Sequence, residues 1–364
     1  MASESLPIAP PLAERHGPIG WMRRNLFATP FDSALTILVL LLLVMIIPPL
    51  FKWAVLNASW TATSREECPV GGACWAVIPN RFHQYLFGLY PVDQYWRIFT
   101  GAALLLVGVV PLMLPRMPRK ALYGVGFAIV YPLVAAWLFA GGGPLQPTVD
   151  SNLWGGLFLT LIISIVGIVA SFPIGILLAL GRRSDMPVVK ALCVSFIELV
   201  RGVPLVTVLF MASVMLPLFF PPGWTVDKVM RALIGVSLFS GAYMAEVIRG
   251  GLQAIPKGQF EAADAMGLSY WQKMRLVILP QALRLVIPGI VNSFISLFKD
   301  TSLVFIMGLY DLLNISKLIV TGQQWLGKDV ESYTSAGFGF WIFSSAMPRY
   351  SQRLERKLHT GHKH

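Results

Sequence analysis

Charge is scarce in this sequence. Asp, Glu, Lys and Arg make up 13% of its 364 residues, where soluble domains average about 25%. Too few polar side chains remain to clothe a soluble fold of that length. An ordinary soluble enzyme, a disordered chain and a coiled coil are therefore excluded. Cysteine is scarce as well. Three residues cannot build a disulfide framework, and no CxxC or HExxH spacing suggests a metal site. The five histidines, His16, His83, His359, His362 and His364, are scattered or terminal. The last three read as a tail rather than a metal tract. Acidic residues number 18 against 29 basic ones, for a net charge of +11. No basic, aromatic-studded face accompanies that excess, so nucleic acid is not an expected partner. What remains in abundance is apolar: 55% hydrophobic residues and a mean hydropathy of +0.66. Such a chain is expected to be all-α and to cross a membrane several times.

Apolar runs long enough to span about 30 Å of hydrocarbon occur eight times. They cover residues 34–55, 95–114, 122–140, 153–180, 188–220, 228–248, 282–307 and 335–351. The fifth is interrupted at Arg201-Gly202-Val203-Pro204. The distribution of Lys and Arg tests this map. With a cytoplasmic N-terminus, eighteen of the 29 basic residues fall inside, among them Arg23, Arg24, Arg116, Arg182, Arg183, Arg249, Lys273, Arg349 and Arg353. Eight fall outside: Lys52, Arg65, Arg81, Arg97, Lys228, Arg231, Lys317 and Lys328. That bias places both termini in the cytoplasm. The Pro-rich N-terminus is not expected to be a cleaved signal, since no small-residue cleavage site follows the first apolar run. Four regions result: a tail over 1–30, a three-helix extension over 31–147 with an outer loop at 56–94, a core over 148–351, and a tail over 352–364. Cys68 and Cys74 lie in that outer loop, either as a short-loop disulfide in an oxidising compartment or as two free thiols. Cys193 sits in an apolar helix and reads as packing.

One inner loop, residues 250–280, is more than a connector. Glycines and Pro256 punctuate its start, and Gln259–Met266 is a run of good helix formers. Gly267 then supplies a left-handed C-cap. Ser269 and Gln272 have capping-box spacing and restart a helix, and Pro280 stands where the next membrane helix begins. Two short helices meeting at a sharp bend are expected at the membrane surface. Such a pair is a shape a soluble partner can grip. An amphipathic helix lying on lipid is the alternative, and the acidic pair Glu261 and Asp264 speaks against it.

Glu261-Ala262-Ala263, followed by Gly267 and by Leu279-Pro280, resembles the EAA signature of permease subunits in binding-protein-dependent ABC importers, with Val277 where an Ile is usual. Phe196–Leu205, Ala245–Gly251, Ser296–Leu303 and Arg349–Arg356 are similar to the polar amino acid subfamily. The three extra N-terminal spans and the long outer loop resemble the M-type subunit of general L-amino acid importers. The resemblance covers residues 153–358 and implies a type I importer transmembrane domain in a bacterial inner membrane. In that family the EAA segment, here Glu261, Ala262, Ala263, Asp264 and Gly267 with Leu279 and Pro280, is a coupling helix docked in an ATPase subunit. The implied partners are a second permease subunit, a dimer of ATP-binding subunits carrying ATP and Mg²⁺, a periplasmic amino-acid-binding protein, an L-amino acid and membrane lipid. No cofactor is expected in this chain, and no catalytic residue. Gly322-Gln323-Gln324-Trp325-Leu326-Gly327-Lys328 spells a phosphate-loop pattern, but Asp329 stands where Ser or Thr must hold Mg²⁺.

An ionisable group at mid-membrane costs about 2.5–3.5 kcal/mol on insertion scales. Glu198 and Arg201 share one helix face at i, i+3 beside a broken helix. They could meet the ammonium and carboxylate of an amino acid, or simply neutralise each other. Asn292, Ser293, Lys299, Asp300 and Thr301 are the second set of pathway candidates, with Lys299–Asp300 open to the same mutual-neutralisation reading. Glu246 and Arg249 read as anchors of the inner loop. An ion-coupled secondary transporter is the alternative function, but it predicts an inverted repeat that the sequence does not show.

Overall fold

The computed structural model describes residues 18–114, 117–142, 146–221, 223 and 226–358. Arg15, His16, Arg116, His359, His362, Lys363 and His364 lie outside them. The chain divides into two compact units, one ending at Ala76 and one beginning at Val77.

The first unit holds α1 (Pro18–Asn25) and α2 (Pro30–Phe51), which continues through one π turn, Lys52–Leu56. Thr29 caps α2 by accepting from the Asp32 N–H, with Pro30 opening the helix where its missing N–H does no harm. No described side chain of α2 is buried. The loop that follows is closed by a Cys68–Cys74 disulfide, with Cα atoms 5.7 Å apart. Trp75 packs between Trp53 and Trp60, at 6.0 and 6.1 Å between ring centroids, and donates its indole N–H to Ala54 O. The Glu67 carboxyl is held below the usual range by N–H and hydroxyl donors of Thr63.

The second unit begins with α3 (Val77–Phe87), an amphipathic helix inside what the sequence reads as a polar outer loop. Then come α4 (Tyr95–Met113), α5 (Lys120–Ala140), α6 (Gly156–Arg182), α7 (Pro187–Gly202), α8 (Leu205–Val214) and α9 (Lys228–Ala254). Short helices α10 (Lys257–Ala265), α11 (Tyr270–Lys273) and α12 (Leu279–Leu285) follow. The last are α13 (Ile287–Asp300), α14 (Leu312–Thr321) and α15 (Asp329–Leu358).

Helices α6 and α9 form the spine. Small residues let them approach closely, as in membrane helix pairs generally. A Cβ on Gly175 would meet Met244 Cγ at 2.6 Å, and one on Gly241 would meet Ile174 Cγ2 at 2.5 Å. Two hydrophobic clusters lie along this spine. One joins Trp154, Phe158, Val236 and Val304; the other joins Ala179, Ile197, Ile248, Ile278 and Ala282. Helix α3 packs on α6, α14 and α15. The Tyr85 hydroxyl shares a 2.6 Å hydrogen bond with Ser332, which donates to Ser316 O at 2.8 Å.

Six helices among the described residues are long and apolar enough to cross a membrane, and seven if α7 and α8 count as one broken span. The sequence pattern predicts eight. The eighth run lies in α15, which is long enough at 30 residues, but its Ser, Gly and Arg content leaves it short of the others' hydropathy. The expected interruption of the fifth span is a 107° bend between α7 and α8, where Val203-Pro204 leaves the helix.

Candidate functional site: an inner bend, an ion-pair cluster and a cleft

Three features converge along the α6–α9 spine. The first is the bend between α10 and α11. Gly267 N–H bonds Asp264 O at 2.9 Å and Leu268 N–H bonds Ala263 O at 3.2 Å, the paired bonds of a Schellman motif. Gly267 has φ +71°, a region that side-chain-bearing residues avoid, yet a Cβ there would meet nothing within 4 Å. Backbone conformation alone thus demands glycine. Ser269 and Gln272 close a reciprocal capping box at the start of α11. Lys273 ties the second helix back to Asp264, and Gln281 donates to Gln259 at 3.1 Å. A π turn, Met274–Ile278, then delivers the chain to Leu279-Pro280 at the start of α12.

Of the EAA residues, Ala263 is buried, while Glu261, Ala262, Asp264 and Gly267 are exposed. So are Met266, Tyr270, Trp271 and Leu276. The bend is thus braced by internal hydrogen bonds and presents large apolar side chains beside the exposed Glu261 and Asp264. The motif pattern does not single out these four side chains; only their exposure does. Behind the bend, Arg183 donates to Leu252 O at 3.0 Å and lies 5.5 Å over the Phe260 ring of α10.

The second feature gathers charges from three helices. Arg249 donates to Glu246 Oε2 through Nε at 3.0 Å and Nη2 at 2.7 Å. Arg201 Nη1 lies 3.5 Å from the same oxygen. Arg182 Nη1 faces Glu246 Oε1 at 3.0 Å, as an ion pair without hydrogen-bond alignment, and donates to Glu198 at 2.8 Å. The mutual Glu198–Arg201 neutralisation read from the sequence is therefore not the arrangement found. Each pairs outside its own helix, because α7 crosses the ends of α6 and α9.

The third feature is a cleft of about 320 Å³ between α6, α8, α9 and α13. Ser240 and Tyr243 of α9 line it with Asn292, Ser293 and Asp300 of α13. Three of the pathway candidates are thus brought together. Glu198, Arg201, Lys299 and Thr301 are not in its wall; Lys299 is exposed, and Thr301 is buried and donates to Phe298 O at 2.8 Å. Arg201 still reaches the cleft indirectly, with its guanidinium 5.5 Å over the Tyr243 ring.

The phosphate-loop pattern over 322–328 follows a helix, not a strand, and its Trp325 is fully buried. The Trp325 and Lys328 N–H groups are already bonded, to Gly322 O at 3.1 Å and Trp325 O at 3.2 Å. Among the described residues, no group of three or more His, Cys, Asp or Glu is placed to hold a metal ion.

Residues 171–360 match the family of binding-protein-dependent transport system inner membrane components. The inner membrane amino-acid ABC transporter permease protein YhdY of Escherichia coli is 52% identical over 94% of this chain and 93% of its own. The glutamate/glutamine/aspartate/asparagine transport system permease protein BztC of Rhodobacter capsulatus is 43% identical over 99% of this chain and 98% of its own. A crystal structure of an amino acid ABC transporter with histidines is 28% identical, covers 56% of this chain and 92% of that one, and has a TM-score of 0.49. YhdY and BztC favour the ABC importer over the ion-coupled alternative. With a family match over more than half its length and relatives aligned along nearly all of it, this multi-span chain belongs to the binding-protein-dependent transport family as the permease component of an ABC importer.

Proposed function

We propose that the chain moves L-amino acids across a bacterial inner membrane by alternating access, with both termini cytoplasmic. A separate ATPase dimer, carrying ATP and Mg²⁺, drives it through the α10–α11 bend, and a second permease subunit completes the pathway. A soluble periplasmic binding protein delivers the substrate. The region before residue 148 is an extension of the importer core. The bend itself is the observation that carries this reading: a Schellman turn and a capping box fix its shape, while Met266, Tyr270 and Trp271 stand exposed around Glu261. A preorganised apolar knob binds without the ordering cost of a flexible loop.

Asn292, Ser293 and Asp300 are the proposed pathway residues, because the cleft gathers hydroxyl, amide and carboxylate groups of the kind that a zwitterion needs. Lys299 and Thr301 flank Asp300 at the end of α13, outside the cleft wall.

Gly267→Val tests the coupling role. A β-branched residue at φ +71° costs about 1–2 kcal/mol and displaces no neighbour. The spans should stay folded while copurification of the ATPase falls about tenfold, the equivalent of ~1.4 kcal/mol. Normal ATPase association with normal uptake of L-glutamine by this variant would refute the assignment.

A further inference from the structure

The ion-pair cluster joins two places that must communicate. At one end, the Arg201 guanidinium lies 5.5 Å over the ring of Tyr243, which lines the cleft. At the other, Arg182 adjoins Arg183, which holds Leu252 O at the end of α9 and covers Phe260 of α10. Glu246 is the shared member. Its carboxylate faces Arg182, Arg201 and Arg249 within 3.5 Å, and only 14% of its side chain is exposed. Contacts therefore run from the cleft wall through Tyr243, Arg201, Glu246 and Arg182, and the next residue in the chain, Arg183, lies over Phe260 of the inner bend.

The charge count makes this chain more than a brace. Three guanidinium groups share two carboxylates, Glu198 and Glu246. One positive charge is in excess, so the arginines compete for acceptors. Arg201 has the longest contact, at 3.5 Å, and Arg182 is already split between both carboxylates. A small shift of α7 against α9 would hand Arg182 wholly to Glu198 or draw Arg201 onto Glu246. Coupling between distant sites needs an element of this kind, with two arrangements that both sites can bias.

We propose that Glu246 is a positioning residue that transmits the state of the cleft to the ATPase-coupling bend by exchanging its arginine partners. The proposal rests on the coupling role assigned to that bend. The test uses the full complex in proteoliposomes, with the ATPase and binding protein that copurify and with radiolabelled L-glutamine as probe. In Glu246→Gln the ratio of binding-protein-stimulated to basal ATP hydrolysis should fall about tenfold. ATP consumed per L-glutamine imported should rise, and the ATPase should still copurify. Glu246→Asp should restore part of the ratio. A wild-type ratio in Glu246→Gln overturns the proposal. If that variant fails to assemble, Arg201→Lys decides the matter. It keeps the charge but loses the guanidinium placed over the Tyr243 ring, and a wild-type ratio there overturns the proposal equally. Gly267→Val serves as the reference. If it couples normally, the role of the bend itself fails. If it is defective while Glu246→Gln is not, the inference about Glu246 fails alone.

Discussion

Asp311 shows how much a single side chain can hold at the start of an element. It is fully buried, and it caps α14 by accepting from Leu313 N–H at 3.3 Å and Asn314 N–H at 3.0 Å. Burial pushes its carboxyl above the usual carboxylate range, against the opposing pull of the donors from Asn314. The sign follows directly. A folded-state pKa above the unfolded value means that the folded protein binds the proton more tightly. The associated stability is full below the unfolded pKa and is lost as pH rises through the raised folded value. Asp311→Asn keeps a capping oxygen but cannot ionise, and its amide turns a donor toward Leu313 N–H. The variant should therefore carry a constant penalty with a pH-dependent gain on top. Its melting temperature in detergent, relative to wild type, should improve from pH 4 to pH 8. Parallel curves across that range would show that Asp311 does not titrate as its burial dictates.

At the scale of elements, the inner bend is legible in the amino-acid sequence because every signal in it is local. Pro256, Gly267 and the Ser269–Gln272 pair each act within four residues, and each is found in its expected role. The ion-pair cluster is not legible in the same way. Glu198 and Arg201 share a helix face, but the direction in which α7 crosses α6 and α9 decides their partners, and no local spacing encodes that. Helix α3 does carry a signal of its own. Val77 and Ile78 stand two helical turns before Tyr85, but the polar residues around them mask the pattern as loop. Since the bend is built from local codes, it should also fail locally. Ser269→Ala removes the oxygen that caps α11, at about 1 kcal/mol. Amide exchange should then quicken over residues 266–275 and stay unchanged in α6 and α9. Faster exchange throughout the spine would mean that the bend is not an independent unit.

For the whole molecule, the scarcity of charge that marks the sequence becomes a map of sides. Arg182, Arg183 and Arg249 cluster at the ends of α6 and α9 that meet the bend, and Lys273 and Arg275 lie within it. Lys228 opens α9 at its other end, Lys317 lies in α14, and Lys328 directly precedes α15. Positive residues resist translocation, so the richer side is expected to face the cytoplasm. That expectation covers every loop at once and is open to a direct measurement. Single cysteines at Asp185 and Gln253, on the bend side, and at Gln323, beyond α14, are all at exposed positions. With Cys193 replaced by Ser and the Cys68–Cys74 disulfide left intact, an impermeant maleimide added to whole cells with a permeabilised outer membrane should label Gln323→Cys at once. Asp185→Cys and Gln253→Cys should label only after the inner membrane is opened. The reverse pattern would turn the molecule over and place the bend out of reach of any cytoplasmic ATPase, so one experiment on three residues bears on the topology and on the coupling mechanism together.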